Sequence, residues 1–334
     1  MGSFFAKEVA TELATEAVDK NWTVPEGFDM TATISAGKIV AAVLGLIAVL
    51  AAMIVIISYV RKKQKGNMFG LFCGVLVYII FYYYATSMIA SFAFYIPPLN
   101  RYVVEMADGT RRIGNTPLYI IICSLIYGTI PILARMLTTR AFAPRFQKFC
   151  DTLQIGLGIV IAHAVRLVAN LFLTVVNYYT INKVGIEELF SGVETQENFD
   201  ALAGTITDML NYKTSSLIFV AVFGILVMVY QIFISVPLFA AYQKRISKWW
   251  YAFALGTSVL FEAFGYLALR NVISEEIKAI LLIVLTAVTV YFCIKLYKQA
   301  KYNEEETVPE DKFNRFNKNA PKKPMPKFDN LSNL

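Results

Sequence analysis

The sequence has 334 residues, which in a soluble protein would make about two domains. Its composition excludes a soluble protein. Charged residues are 16% of the chain, against about 25% in soluble domains, hydrophobic residues are 57%, and the mean hydropathy is +0.55. The net charge of +7 falls in short loops and a tail, so it indicates a membrane surface rather than a nucleic-acid partner.

Residues 1–32 predict an acidic segment outside the membrane. They carry Glu8, Glu12, Glu16, Asp19, Glu26 and Asp29 and lack the apolar core of a signal peptide. The four cysteines, Cys73, Cys123, Cys150 and Cys293, form no CxxC pair, and they are interpreted as small buried hydrophobic residues.

Seven apolar stretches are long enough to cross a bilayer core, which needs about 20 residues per helix. They cover residues 38–60, 68–96, 116–138, 152–178, 214–242, 249–269 and 277–297. Backbone groups cannot stay unpaired in lipid, and the stretches do not alternate in polarity as barrel strands would. The predicted fold class is therefore all-α, a polytopic membrane bundle of seven transmembrane helices occupying residues 33–300.

Lysines and arginines predict the orientation of these helices. Basic clusters follow the first, third, fifth and seventh spans, so they fall on alternate loops. They are Arg61, Lys62, Lys63 and Lys65; Arg140, Arg145 and Lys148; Lys244, Arg245 and Lys248; and Lys295, Lys298 and Lys301. The prediction is an N-terminus outside and a C-terminus inside, although Arg101, Arg111 and Arg112 on the outer side run against it.

Two segments outside the spans have distinct patterns. The outer loop 179–213 is acidic and has apolar residues at helical spacing, which predicts one or two amphipathic helices. The tail 301–334 is rich in Lys, Asn, Pro and Glu, and it is predicted to be a disordered cytoplasmic segment.

Ionisable and amide side chains inside the spans are candidates for a functional site, because polar groups at membrane depth are expensive. His163, Arg166 and Asn170 share one helix face at spacings of three and four. We expect them to face a bundle interior that also holds other polar residues of the spans. Those are Arg135, Gln231, Ser235, Ser258 and Glu262.

Glu262 is the only acid deep in any span, so an ion pair with Arg135 or Arg166 is the simplest way to offset the desolvation cost of these buried charges. Such an ion pair would either fix the register of the packed helices or line a polar cavity for a substrate or ion. For catalysis, the candidates are His163, Glu262 and Arg135. His163 is the only histidine, no HExxH motif is present, and neither a metal nor a cofactor is predicted.

The order of several short features resembles a known family. Tyr-Val-Arg-Lys-Lys at 59–63 follows the first span, Phe-Gly-Leu-Phe-Cys-Gly stands at 69–74, and Lys-Leu-Tyr-Lys at 295–298 ends the last. Over most of residues 33–300 the chain resembles the YhfC family of multi-pass bacterial membrane proteins. These are described as predicted intramembrane peptidases and are grouped with the CAAX proteases and bacteriocin-processing enzymes.

The resemblance implies a degenerate active site. Arg135 fits the family's arginine, but Pro131 and Ile132 stand where its paired carboxylates would be. The Gly156-x-Gly158 frame is kept, while Ile159 replaces a histidine and His163 falls at a glutamate position. In the last two motifs the spacings of Gln231 to Ser235 and of Ser258 to Glu262 are kept, and the leading histidines are lost.

The resemblance and the lost groups together predict a catalytically silent bacterial protein of the plasma membrane. It would bind a hydrophobic peptide, a lipid or a partner helix in a polar intramembrane cavity. Two alternatives stay open: an active intramembrane peptidase with a rearranged site on His163 and Glu262, and a small permease or transporter subunit. The permease predicts helices broken near the middle of the membrane.

Overall fold

A computed structural model describes residues 23–25, 28–63, 68–93, 95–97, 99–105, 111–142, 149–242 and 247–307. The helices within these ranges are α1 (Ala36–Lys63), α2 (Met68–Val77), a π-helix (Tyr78–Ala85), α3 (Thr86–Ala93), a 3₁₀-helix (Leu99–Tyr102), α4 (Thr116–Ala141), α5 (Phe149–Val184), α6 (Ile186–Ser191), α7 (Gln196–Asn211), α8 (Thr214–Phe233), α9 (Ser235–Tyr242), α10 (Trp249–Leu269) and α11 (Glu275–Thr307). A short antiparallel hairpin pairs β1 (Val103–Glu105) with β2 (Arg111–Ile113).

The predicted all-helical membrane fold is confirmed. Within the described ranges, seven helical stretches are long and apolar enough to cross a membrane. They are Ala36–Lys62, Met68–Ala93, Thr116–Ala141, Leu153–Val184, Thr214–Ala241, Trp249–Leu269 and Glu275–Lys298. The protein is therefore an integral membrane protein with several spans. The hairpin lies in the stretch 97–115, for which the sequence predicts only a loop.

The chain divides into two compact units. The first comprises Met1–Ala52 and Ala164–Ile225. Its core is apolar and partly aromatic, and it contains Ile34, Ala42, Tyr178, Ile181, Ile186, Phe190, Phe199, Ala203, Ile206 and Leu217. The residues of α6 and α7 that show helical spacing in the sequence, Ile186, Phe190, Phe199 and Ile206, are among those buried here. Gly185, with φ of +91°, makes the turn between α5 and α6 that a side chain would strain.

The second unit comprises Met53–His163 and Leu226–Leu334. Its helices approach closely where glycines remove side chains, a packing mode common in membranes. A Cβ at Gly128 of α4 would lie 2.6 Å from Val259 Cα of α10. A Cβ at Gly158 of α5 would strike the Leu71 carbonyl of α2, and one at Gly156 would lie 3.1 Å from the Ser235 hydroxyl. The Gly-x-Gly frame of α5 thus packs against α2 with one glycine and against α8 and α9 with the other.

The predicted tail begins at 301, yet α11 continues to Thr307. The remainder of that tail and residues 1–22 of the N-terminal segment lie outside the described residues, so the disorder predicted for the tail stays a prediction.

Candidate functional site

The guanidinium group of Arg135 is the centre of a polar cluster in the second unit. Arg135 is 2% exposed. Its Nη1 donates to the Gln231 carbonyl and to the Ser235 hydroxyl, both at 2.9 Å. Its Nη2 donates to the Tyr82 hydroxyl at 2.9 Å and to the Gln231 side-chain oxygen. Its Nε is buried and has no hydrogen-bond partner among the described residues.

The depth of this group follows from helix geometry. Arg135 is six residues from the Ala141 end of α4, which is about 9 Å along the axis at 1.5 Å per residue. Helical side chains lean towards the N-terminus of their helix, so the guanidinium lies further from that end than its own Cα. The cation is therefore held within the span rather than at its margin.

A π-helix supplies the tyrosines of the cluster. Tyr78–Ala85 interrupts the second span, and the Thr86 amide donates to the Phe81 carbonyl five residues back. Tyr78 and Tyr82 stack in this segment with ring centroids 5.6 Å apart. The Tyr82 hydroxyl also donates to the Gln231 side-chain oxygen at 2.9 Å. Short π-helical segments inside α-helices occur frequently at functional sites.

His163 joins the same group of residues through Tyr78. Its Nδ1 lies 3.4 Å from the Tyr78 hydroxyl, and the two rings meet edge to face at 5.9 Å. A continuous series of contacts therefore runs from His163 through Tyr78 and Tyr82 to Arg135 and Gln231. This series occupies α5, the π-helix, α4 and α8.

A break in the fifth span positions the acceptors. α8 ends at Phe233 and α9 begins at Ser235, with a turn at Ile234. Pro237 lacks the amide that would bond the Phe233 carbonyl, so the regular ladder cannot run through this point. Gln231 and Ser235 flank the turn, and the Arg135 guanidinium bonds both. Pro131, by contrast, lies inside α4 without ending it.

A second polar contact lies beside the cluster. The hydroxyl groups of Tyr230 and Thr257 are 3.2 Å apart, and the Tyr230 ring stacks on Phe261 at 4.7 Å. Tyr230 precedes Gln231 in α8, and Ser258 follows Thr257 in α10. All four polar residues are buried. This contact ties the helix that carries Glu262 to the helix that carries Gln231.

The predicted ion pair of Glu262 with an arginine is wrong for Arg135. Within the described part of the chain, neither Arg135 nor Glu262 forms an ion pair. The Arg135 nitrogens that form hydrogen bonds donate to neutral oxygens. Glu262 is partly buried. A buried cation need not pair with a carboxylate, because carbonyl, amide and hydroxyl dipoles can also solvate it.

Arg166 and Asn170 do not turn into a polar interior. Both belong to the first unit and are exposed. Helical spacing correctly places them on one face, but it does not say which face is buried. In this half of α5 the buried positions are apolar or aromatic ones, namely Ala164, Leu171, Tyr178 and Ile181.

Four residues of the site were missed by the sequence analysis: Tyr78, Tyr82, Tyr230 and Thr257. Tyrosine counts as apolar in a hydropathy reading, yet its hydroxyl needs a partner when buried. The run Tyr82-Tyr83-Tyr84 inside a span was the available signal. Which of the three faces inward depends on the π-helix, which no simple periodicity predicts.

Three of the positions at which the resemblance implies a change from the YhfC pattern are apolar and buried. Pro131, Ile132 and Ile159 are all enclosed, the two isoleucines with no exposed surface. Among the described residues, no group of three or more His, Cys, Asp or Glu side chains is arranged to hold a metal ion. We found no match to this chain among protein-family profiles, curated proteins or solved structures.

Proposed function

We propose that this protein is a YhfC-like, catalytically silent membrane protein that binds a hydrophobic peptide segment inside the bilayer. The observation that supports the proposal is the Arg135 cluster. A cation, two hydroxyl groups and a side-chain amide are gathered within three spans. Of these residues, Arg135, Gln231 and Ser235 stand at positions that the resemblance assigns to the family's site. Polar groups at membrane depth are energetically costly, so a cluster of them indicates a functional role.

A peptide suits such a site better than a purely apolar ligand. A peptide segment that unwinds in lipid exposes amide and carbonyl groups, each of which needs a hydrogen-bond partner. Arg135, Gln231 and Tyr82 together supply donors and acceptors of the required kinds. The protein would sit in the plasma membrane of a bacterium with its N-terminus outside and its C-terminus inside, following its basic loops.

Catalytic silence rests on the buried apolar residues. Peptide hydrolysis needs a group that activates water and a group that donates a proton. Ile132 and Ile159 are enclosed at two positions where the resemblance would place titrating side chains. Glu262 and His163 are the remaining candidates for a rearranged peptidase site, and the experiment below tests them.

The test uses the full-length protein in nanodiscs with a fluorogenic transmembrane peptide that carries a photoreactive diazirine residue. We expect crosslinks on the π-helix, α4 and α8, and no fragments of the peptide. Arg135→Gln should reduce the crosslink yield at least fivefold. Leu137→Ala, an exposed position on the same helix, should leave the yield unchanged.

Three outcomes would reject the proposal. Fragments that disappear in Glu262→Gln would show an active peptidase. Crosslinks spread over lipid-facing residues, with the same yield in Arg135→Gln, would show that the cluster binds no peptide. A phospholipid that stays bound in native mass spectrometry and excludes the peptide would make the site a lipid site.

The interrupted helices favour one further candidate, a permease. Both the π-helix in the second span and the break at Ile234 lie near the cluster, and transporters bind substrates at discontinuous helices. Proton flux into liposomes that is lost on restoring the helix with Pro237→Ala would support this candidate. Flux equal to that of empty liposomes would count against it.

A further inference from the structure

Tyrosines and charged residues form two facing stripes on α4 and α10, in the second unit. Glu262, Tyr266 and Arg270 follow one another at spacings of four along α10 and its C-terminal cap, so they lie on one side of that helix. Tyr119 and Tyr127 belong to α4 and lie about two turns apart on one side of it. Both stripes combine aromatic rings with positions that the membrane would otherwise favour as apolar.

Ring contacts join the two stripes. The Tyr266 ring meets the Tyr119 ring edge to face, with centroids 5.8 Å apart. It meets the Tyr127 ring at an angle of 56°, also at 5.8 Å. The Arg270 guanidinium lies over the Tyr119 ring, 3.9 Å from its centroid. The three rings are inclined to one another rather than stacked, so their faces point in different directions.

The pairing of the two helices places Glu262 beside the same rings. A Cβ at Gly128 of α4 would lie 2.6 Å from Val259 Cα of α10. Tyr127 precedes Gly128 directly, and Glu262 follows Val259 by less than one helical turn. Tyr127 and Glu262 therefore lie at nearly the same level of the helix pair.

The carboxylate of Glu262 lies inside the span. It is seven residues from the Leu269 end of α10, which is about 10 Å along the axis at 1.5 Å per residue. Within the described ranges it forms no ion pair. A carboxylate at this depth is costly without a counter-charge. Glu262 and the three tyrosines are all partly exposed, so a ligand has access to them.

The chemistry of this group favours an organic cation. Tyrosine faces attract cations through the ring quadrupole, and cages of aromatic rings bind quaternary ammonium groups. The Arg270 guanidinium over the Tyr119 ring shows that one of these faces already holds a cation. A metal ion needs several oxygen ligands, whereas one carboxylate among ring faces suits a cation that has no hydrogen to donate.

We propose that Tyr119, Tyr127, Tyr266 and Glu262, the tyrosine cage, form a binding site for a quaternary ammonium group. Glu262 supplies the counter-charge, and the rings supply the faces. Arg270 competes with the ligand for the Tyr119 face. The proposal does not depend on the function proposed for the Arg135 cluster, because the hydrogen bonds of Arg135 involve none of the cage residues.

The experiment measures binding of tritiated choline to the full-length protein in phosphatidylglycerol nanodiscs by scintillation proximity. We expect saturable binding. The uncharged isostere of choline, in which carbon replaces the nitrogen, should compete at least about tenfold more weakly, because it keeps the shape and loses the charge. This comparison needs no variant of the protein. An absence of saturable binding, or equal competition by the isostere, would overturn the proposal.

Variants test the carboxylate and the ring faces separately. Glu262→Gln should lower the affinity for choline at least tenfold. Tyr127→Leu should lower it at least fivefold, whereas Tyr127→Phe should change it less than twofold, because phenylalanine keeps the face. Glu276→Gln and Tyr291→Leu, at exposed positions of α11, are the matched controls and should have less than a twofold effect. Equal losses for the two Tyr127 variants would contradict binding by a ring face.

Arg270 provides a test with the opposite sign. Arg270→Gln removes the competing guanidinium from the Tyr119 face, so we expect choline to bind at least threefold more tightly. If the site bound an anion, the same change would remove an attractive charge. Choline binding that is weaker in Arg270→Gln than in the wild-type chain would therefore overturn the proposal.

A change of lipid identifies the source of the quaternary ammonium group. Phosphatidylcholine carries the same trimethylammonium group as free choline. If replacing half of the phosphatidylglycerol by phosphatidylcholine abolishes choline binding, the cage binds a lipid headgroup. If choline binding is unchanged, the cage binds a free cation. Either result must disappear in Glu262→Gln, and one that persists there would place the binding outside the cage.

Discussion

Arg135 bonds Gln231 twice, with Nη1 on the main-chain carbonyl at 2.9 Å and Nη2 on the side-chain oxygen. The same guanidinium reaches Ser235 beyond the turn at Ile234, and Tyr82 in the π-helix. One cation therefore links the second, third and fifth spans. Its charge is met by oriented dipoles, because no carboxylate within the described ranges lies at ion-pair distance from it.

Replacing Arg135 should reverse the usual order of conservative changes. Arg135→Lys keeps a buried positive charge but loses the planar fork that reaches Tyr82, Gln231 and Ser235 together. Arg135→Gln removes the charge and keeps an amide that can still donate. We expect both to lower the free energy of unfolding, by about 1–3 kcal/mol for lost hydrogen bonds to a charged group, and Lys to be the worse. Thermal unfolding in detergent measures the order.

Leu137→Ala on the lipid-facing side of the same helix is the control, and it should shift the midpoint less than either change at Arg135. If Lys proves better tolerated than Gln, the positive charge itself is needed. An unseen counter-charge would then have to be sought near Arg135.

Arg135 and Glu262 should behave as independent sites. In a double-mutant cycle of Arg135→Gln and Glu262→Gln, we expect the two effects to add within about 0.5 kcal/mol. A cycle of Arg135→Gln with Tyr82→Phe removes two groups that bond each other at 2.9 Å, so its coupling should be about 0.5–3 kcal/mol. A coupling above about 1 kcal/mol in the first cycle would restore the ion pair that the sequence suggests.

Hydropathy was sufficient to predict the seven spans, because the length of an apolar run is set by bilayer thickness and is read directly from the chain. The predicted start of the first span, residue 38, is two residues from the Ala36 at which α1 begins. The break at Ile234 was not predicted, since Pro237 breaks a span only where neighbouring groups satisfy the freed carbonyls. Here the Arg135 guanidinium bonds the Gln231 carbonyl beside the turn, from a position 96 residues away in sequence.

The site was predicted in part. The sequence analysis placed Arg135, Gln231 and Ser235 in one polar interior, and in the structure the Arg135 guanidinium bonds both of the other residues. Spacing failed for Arg166, because the face of a helix that is buried depends on what packs against it. The hydrogen bonds of Asn182 to the main chain of Ile34 and of Gln196 to the main chain of Thr23 could not be predicted, because main-chain atoms leave no pattern in the sequence.

Gly158 should tolerate no side chain, whereas Gly256 should. A Cβ at Gly158 would meet the Leu71 carbonyl, and one at Gly74 would lie 3.0 Å from Gly158 Cα, so α2 and α5 touch at their backbones. We expect Gly158→Ala to destabilise the protein by about 1–3 kcal/mol, the range for overpacking. Thermal unfolding in detergent, with far-UV circular dichroism of the folded state, is the measurement.

Gly256 is the matched control, because it lies in another span with nothing within 4 Å of its Cβ position. Gly256→Ala should be neutral, or stabilising by up to about 1 kcal/mol through reduced backbone entropy in the unfolded chain. Equal destabilisation by the two alanines would mean that α2 and α5 are not in close contact.

Acid should loosen the turn at Asp29, which lies in the segment before α1. The Thr31 hydroxyl and amide donate to Asp29 Oδ1 at 2.7 and 2.8 Å, and these hydrogen bonds hold the pKa of that carboxyl below its ordinary value of 3.8. A lowered pKa in the folded state means that the turn is stabilised above pH 3.8 and that this contribution is lost as the pH falls further.

The ¹⁹F NMR signal of 4-fluorophenylalanine at position 28 should report the loss of its contact with Phe190. Asp29→Asn is the control. It keeps an acceptor oxygen without the charge, and the part of the acid transition that belongs to Asp29 should disappear. An acid transition that is unchanged in Asp29→Asn would show that the pH response does not come from the Asp29 carboxyl.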